Sequence, residues 1–284
     1  MGYNTLIDAA TLLAEGNEDW VVLDCRFSVA SAATADAGYN AYLEGHIPGA
    51  LYAHLNNDLS SPVTATSGRH PLPEQQALRQ FFGRCGITPE TQVVVYDDLN
   101  GAMAARCWWL LRWLGHDKVA VLDAGIQAWN AAGGTLEQTK HEQNADGQYP
   151  ERESLVQVRD ADELLMQIQD PRWQLVDARA PERFRGDVEP IDPVGGHIPG
   201  AMNRPLQQNL QADGRFKSVE QLRGEWLAIL GEASAKEVVH YCGSGVTACH
   251  NFLAMEHAGL TGSRVYPGSW SEWSKDPSRP MVKG

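Results

Sequence analysis

The sequence predicts an α/β protein: a tandem pair of similar domains of about 140 residues, each a parallel sheet flanked by helices on both faces. The first observation is an internal repeat. Gly45-His46-Ile47-Pro48-Gly49-Ala50 returns as Gly196-His197-Ile198-Pro199-Gly200-Ala201, and Val22-Leu23-Asp24-Cys25-Arg26 returns as Leu175-Val176-Asp177-Ala178-Arg179. Val93-Val94-Val95-Tyr96-Asp97 matches Val238-Val239-His240-Tyr241-Cys242, and the stretch from Gly125 to Trp129 resembles that from Gly268 to Trp273. Landmarks repeated in one order mark a duplication. The second observation is that short runs, apolar on both faces, alternate with helical patterns, as parallel strands covered on both sides require. The third is the polar, charged stretch from Glu137 to Ser154, which lacks apolar periodicity and reads as a linker. Domain one is set at 1–140 and domain two at 150–284.

Each element follows from its own pattern. In the first copy, 20–24, 92–97 and 118–123 are strand-like, while 72–85 and 101–114 look helical, with Gly86 and Gly115 placed to stop them. In the second copy the run Glu237-Val238-Val239-His240-Tyr241 ends on Cys242, the small loop Gly243-Ser244-Gly245 follows, and a helical pattern begins near Val246. Trp108, Trp109 and Trp113 share one helix and read as packing residues. His46 and His197 recur in both copies and are read as structural, as are the Asp24/Arg26 and Asp177/Arg179 pairs, taken as internal braces.

Composition limits the possible functions. The chain has 284 residues, 43% of them hydrophobic, and a formal charge of −13. That charge argues against nucleic acid and anionic membrane as partners, and an anionic substrate must be met by local arginines and a helix N-terminus. No run approaches a membrane span and the N-terminus shows no export signal, so the cytoplasm is the expected compartment. Five scattered cysteines (Cys25, Cys85, Cys107, Cys242, Cys249) do not read as a disulfide framework. His240, Cys242, Cys249 and His250 lack the short cysteine pair of structural zinc sites, and no metal is expected.

Cys242 is the predicted catalytic residue. A cysteine between a strand end and a helix start lies where backbone N–H groups converge and the helix dipole is positive, which favours the nucleophilic thiolate. The flanking glycines leave the sulfur accessible and let the backbone curl around it. At the matching place the first copy carries Asp97, which cannot act as a sulfur nucleophile. One copy is expected to be catalytic and the other supportive, supplying a wall of the substrate cleft.

The half-repeats, the two Gly-His-Ile-Pro-Gly-Ala motifs and the Cys242–Thr247 loop resemble the two-domain rhodanese-type sulfurtransferases. The loop is most similar to that of 3-mercaptopyruvate sulfurtransferases, and the resemblance covers nearly the whole chain. It implies a degenerate first and a catalytic second rhodanese domain, a persulfide on Cys242, and no cofactor. The partners it implies are a small-molecule sulfur donor and, as acceptor, cyanide or a thiol, either low-molecular-weight or on a thioredoxin-like protein. Gly243, Ser244, Gly245, Val246 and Thr247 would surround the transferred sulfur, and Arg183 would bind the donor's anionic group. Arg185 and His70 are further candidates, His70 as partner of Ser244 in a Ser-His-Asp relay with no acid assigned. A second arginine common in the family, in a Glu-Pro-Arg segment, has no counterpart in Glu189-Pro190-Ile191-Asp192. The neutral loop, with its hydroxyls, favours 3-mercaptopyruvate as donor. Thiosulfate:cyanide transfer is the alternative, and a non-enzymatic persulfide carrier or sensor is the rival from another class. A phosphatase would need an arginine where Ala248 stands.

Overall fold

The computed structural model describes residues 2–28, 36–168, 170 and 172–284. The chain divides into two compact units. The first takes residues up to Ser61, then Pro73–Leu155 and Asp213–Arg215; the second takes Pro62–Leu72, Val156–Ala212 and Phe216–Gly284. A single cut at the linker would assign 62–72 to the first half, whereas this segment, with His70, packs within the second unit.

In the first unit the elements run β1 (Leu6–Ile7), α1 (Ala9–Glu15), β2 (Val21–Asp24), α2 (Ala37–Glu44), β3 (Leu51–Tyr52), α3 (Gln75–Arg84), β4 (Val93–Tyr96), α4 (Ala104–Trp113), β5 (Val119–Leu122) and α5 (Gly125–Ala131). The strands form one parallel sheet in the order β1-β5-β4-β2-β3. Every residue of β4 and β5 is buried. Val94, Tyr96, Ala120 and Leu122 point to one face, where they join Leu12 of α1 and Ile126 and Trp129 of α5. The alternating Val93, Val95, Val119 and Val121 are equally buried on the other face.

The second unit repeats the pattern: β6 (Gln157–Val158), α6 (Ala161–Gln167), β7 (Gln174–Asp177), α7 (Pro181–Arg185), β8 (Met202–Asn203), α8 (Val219–Leu230), β9 (Val238–Tyr241), α9 (Ala248–His257), β10 (Arg264–Val265) and α10 (Ser269–Trp273). Its parallel sheet runs β6-β10-β9-β7-β8, the same order. Val239 and Tyr241 pack with Trp270 and Trp273 on one face. His240 points the other way, with its ring 5.5 Å from Trp226 and 6.3 Å from Phe252.

The repeated motifs have a shared job. Arg26 Nε and Nη2 bind the Asp24 carboxylate at 2.9 and 2.5 Å, and Nη2 also donates to Gly45 O at 2.8 Å. Arg179 does the same with Asp177 (3.0 and 2.7 Å) and Gly196 O (2.6 Å). Each brace ties a central strand end to the Gly-His-Ile-Pro-Gly turn of its own copy. The histidines complete those turns, with Nδ1 donating to Tyr42 O at 2.7 Å for His46 and to Phe184 O at 2.8 Å for His197.

Two sequence expectations change. The helix expected from residue 72 begins at Gln75, because Pro71 and Pro73 hold the preceding chain extended. The stretch read as a linker is folded onto the first unit. Tyr149 is fully buried, its N–H donates to Arg79 O at 2.9 Å, and its hydroxyl lies 3.1 Å from His116 Nδ1. Gly83 admits this strap, since a Cβ there would meet Gln148 N at 2.2 Å. Among the described residues, no helix is long and apolar enough to cross a membrane.

Candidate active site

The β9 strand delivers Cys242 to a loop that is held by the first turn of α10. Ser269, in the left-handed region at φ 54°, presents Oγ to the N–H of Cys242 at 3.1 Å. The N–H groups of Trp270 and Ser271 donate to the carbonyls of Cys242 (3.0 Å) and Gly243 (2.9 Å). Gly245 turns the chain back at φ +77°, where a Cβ would meet Pro267 O at 2.2 Å, so no other residue fits. That turn aims the Gly245 N–H at Cys242 Sγ, 3.2 Å away, a donor that stabilises negative charge on sulfur.

Ser244, in the same loop, is buried, with Oγ 2.7 Å from His70 Nδ1. Arg183 projects from α7, where Pro181 opens the helix and Gly186 closes it. Its guanidinium binds Glu189 (Nη2–Oε1 2.6 Å, Nε–Oε2 3.2 Å) and Asp192 (Nη2–Oδ2 3.3 Å). Burial pushes the Glu189 carboxyl up, but Arg183 and the N–H groups of Asp192 and Ile191 outweigh it and hold it below its usual range. Arg185 is placed differently: it is exposed and pairs with Asp187 at 2.8 Å. Val246 is buried and Thr247 half-buried at the start of α9.

Several contributors carry no pattern in the sequence. Arg69 forms an ion pair with Asp192, and its backbone N–H donates to Ser271 Oγ at 3.0 Å. Asp192 is buried. Its neighbours in the chain reveal none of this; the only sequence signal was Arg69 standing next to His70.

All five thiols are buried, Cys242 included, which differs from the accessible sulfur expected of its flanking glycines; burial pushes Cys25 and Cys85 up, and Cys242 is set apart by the Gly245 N–H aimed at its sulfur. Cys249 Sγ lies 3.4 Å from Gly245 O. The zinc grouping considered from the sequence is spread over separate environments, with His240 between Trp226 and Phe252 and His250 stacked on Phe216 at 4.5 Å. In the first unit, His46, Glu137 and His141 bring potential ligand atoms within 4.8 Å of one another. Glu137 Oε1 is already engaged there by Gly49 N–H and by His141 Nε2 at 2.6 Å.

At the matching place in the first unit, Asp97 fills its own loop. Its carboxylate accepts four backbone N–H bonds, from Leu99 (2.9 Å), Gly101 (2.9 Å), Met103 (2.7 Å) and Ala104 (2.8 Å). The strand-loop-helix unit thus cradles an anion in the copy that lacks the cysteine.

A family model described as "Rhodanese-like domain" matches residues 7–132 and 160–276. The chain belongs to the rhodanese-like family. A Pseudomonas aeruginosa protein named "Probable 3-mercaptopyruvate sulfurtransferase" is 48% identical over 98% of this chain and 98% of its own length. The bovine (Bos taurus) thiosulfate sulfurtransferase is 36% identical over 82% of this chain and 78% of its own. Among solved structures, 3-mercaptopyruvate sulfurtransferase from Leishmania major superposes with a TM-score of 0.82 at 31% identity, covering 95% of this chain and 74% of that one. The first stretch contains β2 to β5 and the second β7 to β10, and the two sheets share one strand order, so both copies are rhodanese domains.

Proposed function

We propose that the protein is a sulfurtransferase that takes sulfur from 3-mercaptopyruvate onto Cys242 and passes it to a thiol or to cyanide. The observation that carries this reading is the Cys242 sulfur held by Gly245 N–H, in one loop with a Ser244 hydroxyl backed by His70. The Cys242 thiolate attacks the donor's sulfur, an S–S bond forms, and the donor's C–S bond breaks. Its electron pair passes to the enolate of pyruvate, which then takes a proton. The product is a Cys242 persulfide, whose outer sulfur an acceptor thiolate or cyanide removes to restore the thiolate. In this reading the Ser244 hydroxyl donates to the enolate oxygen and Arg183 serves the donor's carboxylate. Thiosulfate is the second reading, favoured by the guanidinium groups near the loop, with sulfite as leaving group. The five free cysteines suit a reducing compartment such as the cytoplasm.

The test is intact-mass analysis after exposure to 3-mercaptopyruvate. Wild type gains one sulfur and turns over with cyanide; Cys242→Ser does neither, while Ser at Cys25, Cys85, Cys107 or Cys249 leaves transfer intact. A sulfur label that persists in Cys242→Ser overturns the assignment. Loading without steady-state turnover favours a persulfide carrier.

A further inference from the structure

His46 is fully buried, and both of its ring nitrogens face backbone oxygen. Nδ1 lies 2.7 Å from Tyr42 O, and Nε2 lies 3.2 Å from Thr139 O. A carbonyl oxygen only accepts, and a neutral imidazole has one N–H to give. Nδ1 makes the closer contact and donates. The Nε2 lone pair then points at oxygen unless a proton or a metal ion lies between. The Glu137 carboxylate stands 3.8 Å from that nitrogen, and His141 Nε2 lies 2.6 Å from the same carboxylate oxygen. Gly49 N–H and His141 outweigh desolvation and hold the Glu137 carboxyl below its usual range, in the ionised form that a ligand needs. A proton on His46 would need one acceptor; here two imidazoles and a carboxylate converge.

We propose that His46, Glu137 and His141 form a binding site for a divalent, zinc-like cation, which clasps the stretch from Glu137 to His141 onto the Gly-His-Ile-Pro-Gly turn. The site lies wholly in the first unit and does not rest on the sulfurtransferase reading. Two imidazoles and one carboxylate are a ligand set that suits Zn²⁺ and its borderline neighbours. Tetrahedral Zn²⁺, with bonds of about 2.0–2.1 Å, sets neighbouring ligand atoms about 3.4 Å apart. The separations of 3.8 and 2.6 Å bracket that edge, so shifts below about 1 Å suffice. The Nδ1–H bond to Tyr42 O is the outer contact that orients a metal-bound imidazole. His46 and Glu137 are held opposite each other by two backbone hydrogen bonds of 2.9 Å. Glu137 and His141 are half-buried, which gives the ion a way in and leaves a coordination position to solvent. The duplication supplies a control. In the second copy His197 makes the same kind of bridge and a like Nδ1 bond, but opposite it stands Val282, which offers no ligand atom. The turn histidine is common to both copies, whereas Glu137 and His141 are additions of the first.

The test is calorimetric titration with Zn²⁺ and visible absorption with Co²⁺ on the full chain, free of any histidine tag and stripped by chelator. A Cys242→Ser background removes the thiol of the candidate active site. One Zn²⁺ per chain is expected, with a rise in Tm. The Co²⁺ spectrum shows tetrahedral nitrogen and oxygen ligation without a thiolate charge-transfer band. His141→Ala and Glu137→Gln weaken Zn²⁺ binding about 100-fold, no less than the loss of an outer-shell partner costs, and abolish the rise in Tm. Thermal melting without metal reports their fold. A Kd for Zn²⁺ no tighter than about 1 mM, or binding that is unchanged in the folded variants, overturns the proposal. So does a thiolate band in the Co²⁺ spectrum, and that spectrum decides the matter if neither variant folds.

Discussion

His70 Nδ1 lies 2.7 Å from Ser244 Oγ, two buried side chains joined by one hydrogen bond across 174 positions of the chain. The bond fixes the hydroxyl's direction and gives it a neighbour able to exchange its proton. A 3-mercaptopyruvate donor needs such a group, because its leaving enolate must be stabilised and protonated. A thiosulfate donor releases sulfite, which leaves as an anion and needs neither. Ser244→Ala should therefore lower kcat with 3-mercaptopyruvate about a hundredfold, the lower range of general acid–base effects, and change thiosulfate turnover far less. Parallel kcat measurements with the two donors check this; equal losses would show that the pair merely shapes the loop.

His240 makes stability depend on pH. Burial between Trp226 and Phe252, aided by Arg204, pushes the imidazole down to about 3, and neither ring nitrogen finds a hydrogen-bond partner among the described residues. In the unfolded chain the same group takes its proton near pH 6.5. The unfolded state thus binds more protons between those two values, and stability falls as pH drops below about 6.5. Urea unfolding should show this group costing about 2 kcal/mol at pH 5 relative to pH 7. His240→Phe, which suits an aromatic environment, should lose less stability over that interval than wild type. Identical losses in the two proteins would contradict the assignment.

Asp97 should be worth several kilocalories to the first unit. Replacing it by Ala strands four backbone N–H groups, three of them in buried hydrogen bonds, that now share one carboxylate, and the expected loss is about 3 kcal/mol or more. Asp97→Asn keeps an acceptor for half of them and should cost less. Urea unfolding of both variants at pH 7 measures the difference, and a wild-type-like Asp97→Ala would mean that the loop relaxes freely.

The duplicated fold was legible because it is written in local chemistry. Apolar strands, stopping glycines and the repeated Asp-x-Arg and Gly-His-Ile-Pro-Gly motifs each announce themselves within a few residues. Cys242 and Gly245 were legible for the same reason, since a strand end followed by small residues permits few other geometries. The attachment of the stretch from Glu137 to Ser154 was not legible, because it rests on one buried tyrosine, backbone hydrogen bonds and scattered polar side chains such as Glu137 and Gln143, which leave no periodicity. Arg69 and Asp192 were illegible because their relation exists only after residues 62–72 have joined the second unit. In the segment where the resemblance seeks a second arginine, Asp192 stands instead and pairs with Arg69 and Arg183.

The first turn of α10 grips Cys242, Gly243 and Arg69 at once, through Ser269, Trp270 and Ser271. The backbones of Cys242, Gly243 and Arg69 are therefore referred to one another by three consecutive residues. A change that shifts this turn carries all three along together, so their mutual spacing is kept even where the rest of the unit changes.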